Sequence, residues 1–238
     1  MKDTTLSKLG GACSILTGVT SILALGGYLQ VAPELQDACR CPDKFLASLA
    51  HTSFMMYGVG YGLLALHALL AIAAVLAISE SVRSANEGWV RWTSTLAIIG
   101  LAVFAIHAVW HMTLDPAKAA AYVQGDAAVK AALTVPGALQ SLDPGAWFRF
   151  GLVGFWVLVV SLLALRGGMW PKPLAAVGIG VALMYWLAVV GEVAQSQILI
   201  GIFAGVGGVI LLPIWYIWRG LRLRKASEGA PIGESGAA

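Results

Sequence analysis

FMMYGVGYGLLALHALLAIAAVLAI, residues 54–78, contains no Asp, Glu, Lys or Arg. As a helix rising 1.5 Å per residue it reaches about 37 Å, enough to cross a hydrocarbon core of ~30 Å. A stretch of this kind has one stable solution in lipid, a helix that satisfies its own backbone. Five more apolar segments have spanning length, at 9–31, 93–113, 147–166, 173–193 and 198–218. The first is too long for a secretory signal peptide, and no small-residue cleavage site follows it.

Composition agrees. Of the 238 residues 59% are apolar and 11% charged, with a mean hydropathy of +0.82, outside the usage of soluble domains. The expected fold is an all-α membrane bundle of six transmembrane helices. It fills residues 1–225 as one domain, with 226–238 a disordered tail. The basic residues divide ten to five between the two sets of loops, which predicts both termini in the cytoplasm. The net charge of +3 then serves anchoring, and no nucleic-acid partner is expected. The expected surroundings are the lipid bilayer of a bacterial inner membrane.

Two loops on the predicted outer side depart from short connections. The first holds Cys39 and Cys41, too close to bridge each other without strain; a bridge to a partner, a metal site and inert thiols stay open. The second, 114–146, is long for a simple connection. Asp115-Pro116 reads there as an N-cap followed by proline at the first helical position, and the alanine-rich run after it predicts a short surface helix. Asp143-Pro144 repeats the signal before the fourth span.

Trp89, Trp92, Trp110, Trp147, Trp170, Trp215 and Trp218 fall near span ends, as in an interfacial aromatic belt. Gly201, Gly205 and Gly208 give the sixth span a small-residue face for self-association or contact with other membrane subunits. Pro213 should bend that span without ending it. Tyr57–Gly62 contains the Val-Gly-Tyr-Gly of a potassium filter but lies inside one unbroken apolar run, and its glycines read as helix contacts.

The four histidines, His51, His67, His107 and His111, all fall on the second and third spans or their ends. Imidazole is costly in lipid, so clustered histidines are candidates for function. In one arrangement His67 and His107 are axial ligands of a haem b. In another His107 and His111, one helical turn apart, chelate a transition metal, with Asp115 or His51 completing the shell. In a third they are neutral and hydrogen-bonded, with no cofactor. The Glu of a His-Glu-x-x-His zinc protease is absent. Glu192 lies at the outer end of its span, where water should solvate it.

The second half, with LRGGMWPKPLAAVGIG between two spans and the closing GVILLPIWYIWRGLRLRK, resembles bacterial six-helix membrane proteins known only as a domain of unknown function. LGGACSILTGVTSIL of the first span shares in the likeness. The resemblance implies fold and membrane location and no chemistry. With no nucleophile–base constellation and no phosphate loop, the first functional expectation is a non-catalytic protein. It would be an accessory or scaffolding subunit, or a binder of lipid or another apolar molecule. The alternatives are histidine-ligated electron transfer and solute transport, the latter without visible repeats.

Overall fold

The computed structural model describes residues 4–29, 42–52, 54–135, 143 and 145–228. Cys39, Cys41, Pro144 and tail residues 229–238 lie outside them. The described residues are helical throughout, apart from turns and short connections. The helices are α1 (Thr4–Leu29), α2 (Pro42–His51), α3 (Phe54–Val82), α4 (Glu87–Gln124), α5 (Ala127–Thr134), α6 (Val153–Arg166), α7 (Lys172–Val193), α8 (Gln197–Ala204) and α9 (Leu212–Glu228). A π turn, Trp147–Leu152, leads into α6, and a second, Gly205–Leu211, joins α8 to α9. Six helical stretches are long and apolar enough to cross a membrane, with α8, the π turn and α9 forming the last.

The helices close into a ring in chain order. α1 packs on α3, α3 on α4, α4 on α6, α6 on α7, α7 on α8, and α9 returns to α1. The last contact is backbone to backbone. A methyl added to Gly220 would come 2.6 Å from the Gly11 carbonyl oxygen, and one added to Gly18 would come 2.9 Å from that of Pro213. Ser14 Oγ uses the closeness to donate to the Tyr216 carbonyl at 2.6 Å.

The main core runs from the end near Arg83, Arg166 and Arg219, around Ile78, Val160, Leu174 and the fully buried Trp156 and Trp215, as far as Ala68, Ala105 and Tyr185. Some of its polar groups are paired across helices, while Ser161 Oγ, Trp215 Nε1 and the Tyr216 hydroxyl find no hydrogen-bond partner among the described residues. Ser79 Oγ accepts from Ser94 Oγ of α4 at 2.6 Å and from Trp156 Nε1 of α6 at 3.0 Å. At the opposite end α2 buries Phe45, Leu46 and Leu49 with Tyr57 and Ala119. Pro42 and Asp43 in its first turn suit a helix start.

Several expectations change. Asp115-Pro116 starts no helix, because α4 runs through Pro116 to Gln124, about 57 Å in all. The break comes at Gly125, and Asp126 caps α5 by accepting from the amides of Ala128 and Val129 at 3.0 and 2.9 Å. Trp170 and Trp215 do not join an aromatic belt: they are 5% and 0% exposed and pack together in the core. Gly60, read as a helix contact, touches no neighbouring helix among the described residues. Residues 226–228, read as tail, finish α9. Pro213 does leave its span continuous. Lacking an N–H, it cannot serve the carbonyl four residues earlier, and the π turn just before it absorbs the change of register.

The closure predicts a contrast between glycines. Gly220→Ala should cost about 1–3 kcal/mol through overpacking against backbone, measured by thermal or denaturant unfolding in detergent. Gly60→Ala should be neutral or gain up to about 1 kcal/mol from helix propensity.

Candidate functional site

His107, His111 and Asp115 follow one another at four-residue spacing on α4 and so share one face. That face meets the start of α3, where Tyr57 and Tyr61 repeat the spacing. The Tyr57 hydroxyl donates to Asp115 Oδ2 at 2.7 Å. His111 Nδ1 lies 2.5 Å from the same oxygen. Since a carboxylate only accepts, the imidazole proton sits on Nδ1. Lys118 Nζ stands 4.0 Å from the other oxygen. Asp115 is 2% exposed, and these donors offset the cost of burying its charge.

Rings surround the carboxylate. His111 stacks on Tyr61 with centroids 5.2 Å apart and meets His107 edge-on at 4.3 Å. Phe45 of α2 covers Tyr57 edge-on, so the short helix shields the network on that side.

His67 lies deeper on α3. Its Nδ1 is 3.1 Å from the Thr17 carbonyl oxygen of α1. A carbonyl can only accept, so Nδ1 carries the proton and Nε2 of the neutral ring is an acceptor. His67 lines a partly open cavity of about 210 Å³ bordered by α1, α3, α4, α7, α8, α9 and the two π turns. Leu64, Phe104, Phe150 and Leu212 make its lining mostly apolar, with Ser21 and Tyr185 as the other polar side chains. Ser21 Oγ donates to the Gly208 carbonyl at 3.0 Å, tying α1 to the second π turn beside the cavity. Phe104 touches the His67 ring and stands one helical turn below His107, so cavity and network adjoin along α4.

The first π turn is built for this end of the bundle. Asp143 accepts from the amides of Phe148 and Arg149 at 3.0 and 2.9 Å. The Arg149 guanidinium then reaches Glu192 of α7 at 2.9 Å. Glu192 is thus ion-paired and three-quarters buried where solvation was expected.

The structure brings His107, His111 and Asp115 together and leaves His51 exposed at the end of α2. His67 and His107 face different neighbours, Phe104 and His111. Among the described residues no group of three or more His, Cys, Asp or Glu side chains is arranged to hold a metal ion. Sequence reading missed Tyr57 and Tyr61, whose four-residue spacing matches that of the α4 residues they meet. Chemically, the network ties a shielded carboxylate to an imidazole and a phenol through hydrogen bonds. The cavity offers an apolar slot with one ring nitrogen as acceptor.

The shared oxygen predicts coupling. Tyr57→Phe and Asp115→Asn should each cost about 1.5–3 kcal/mol, and the double variant should show an interaction energy of about 1–3 kcal/mol in unfolding measurements. Strict additivity would remove Asp115 as the hub.

The model of a family described as a domain of unknown function, DUF4386, matches residues 9–220. No curated protein and no solved structure matches the chain. The matched region reaches into all six apolar helices and takes in both the network and the cavity, and the chain belongs to the DUF4386 family.

Proposed function

We propose that this is a non-catalytic, multi-pass protein of a bacterial inner membrane that binds lipid or another apolar molecule inside its bundle. The observation that carries the reading is the cavity beside His67, apolar except for a few oriented polar groups. Such a combination is typical of small-molecule sites. At about 210 Å³ it lies below the ~300–1,000 Å³ of drug-sized pockets, which suits a narrow chain better than a macrocycle. The His67 tautomer selects further: a ligand that donates, such as an alcohol or a protonated acid, matches Nε2.

The ten-to-five division of basic residues supports cytoplasmic termini. The network, the cavity, α2 and α5 then belong to the outer half. Gly201 and Gly205, open on their faces, would let another subunit or a second copy approach closely, in keeping with an accessory role. The haem or metal reading keeps one supporting feature, a His67 ring held through Nδ1 with Nε2 left as a lone pair.

Filling the cavity tests the proposal. Protein purified in mild detergent should carry about one equivalent of a hydroxyl- or carboxyl-bearing apolar molecule, identified by mass spectrometry of the organic extract. Ala204→Leu should abolish retention with helicity unchanged, and His67→Leu should weaken it about tenfold, the equivalent of one hydrogen bond. Equal retention by the filled variant would refute the reading.

A further inference from the structure

At the other end of the bundle a cavity of about 910 Å³ opens between α3, α4, α9 and the α6–α7 turn. Its cationic side chains are Arg83, Arg219, Arg222 and Lys225, and its carboxylates are Glu80 and Glu87. The carboxylates are already engaged: Arg83 pairs with both, and Arg91 reaches Glu87 at 2.9 Å. Arg219, Arg222 and Lys225 have no carboxylate within ion-pair distance among the described residues.

Arg219 is the unusual member, being only 4% exposed. Its guanidinium stacks 4.2 Å over the Trp170 ring, and one terminal nitrogen donates to Ser81 Oγ at 2.7 Å. Nε, also buried, has no hydrogen-bond partner among the described residues. A buried charge without a counter-charge is expensive. Stacking and a single hydroxyl meet little of the capacity of a group with five N–H donors. The stack does fix the plane of the fork, and a fixed guanidinium fork matches the paired oxygens of a phosphate.

We infer that this cavity is a phosphate-binding site in which Arg219, held flat by Trp170 and Ser81, grips the phosphate and Arg222 and Lys225 add charge from the rim. The phosphate belongs either to an anionic phospholipid headgroup, reached from the bilayer edge, or to a soluble phosphate compound. The site is separate from the cavity at His67. Ser81 lies 14 residues further along α3, about 21 Å at helical rise.

The full-length protein in phosphatidylcholine nanodiscs is the reference, and thermal unfolding is the readout. One arm replaces part of the lipid with phosphatidylglycerol, and the other adds inorganic phosphate or pyrophosphate at constant ionic strength. The wild type should be stabilised in a saturable way in at least one arm, and the responding arm identifies the source. Arg219→Gln and Arg219→Lys should each weaken the apparent affinity at least tenfold. Arg166→Gln, which removes an exposed charge outside the cavity, should leave it unchanged. If the Arg219 variants do not fold, the double variant Arg222→Gln/Lys225→Gln on the exposed rim should weaken it several-fold. No stabilisation in either arm, or equal loss in Arg166→Gln, would overturn the inference. Loss of the apolar ligand in the Ala204→Leu variant would leave this result untouched.

Discussion

The close approach of the first and last spans is the contact on which the rest of the bundle depends. Gly11, Gly18 and Gly220 bring α1 and α9 to backbone distance, and only then does the ring of helices close. Lipid supplies little hydrophobic drive for helix association, so close packing and a few buried hydrogen bonds must supply it. Here the two act together: the same approach allows Ser14 to reach the Tyr216 carbonyl. Further along α1, Thr17 and Ser21 are set beside His67 and Gly208. The first helix thereby fixes the tautomer of the central histidine and one wall of the cavity.

The two ends of the bundle carry different polar features. The end near Arg219 has the larger cavity and is tied by the Ser79–Ser94–Trp156 bonds. The other end holds the His67 cavity, two π turns and the Asp115 network. π turns disturb a regular helix and are frequent at functional sites. In this chain both border the same cavity.

Much of the architecture was legible in the sequence, because lipid leaves a long apolar segment one choice. The six spans follow from run length alone. What was not legible depended on which helix faces which. Asp115-Pro116 has the local grammar of a helix start, but Tyr57 and His111 engage the carboxylate, and the helix continues. Trp170 and Trp215 sit where an aromatic belt would place them, yet Arg219 and the core hold them inside. The closing contacts within the chain use Gly11, Gly18 and Gly220, which no packing motif in the sequence had marked. The histidine face of α4 was visible from spacing, and its tyrosine partners were hidden within a string that resembles a channel filter.

The central claim, that the bundle holds an apolar molecule against His67, is tested most directly by electron cryomicroscopy of the protein extracted with its native lipids into nanodiscs. The account predicts elongated density within the cavity bounded by Phe104, Phe150 and Gly208, ending in a polar group about 3 Å from His67 Nε2. A cavity closed by its own side chains, or occupied by water alone, would contradict it.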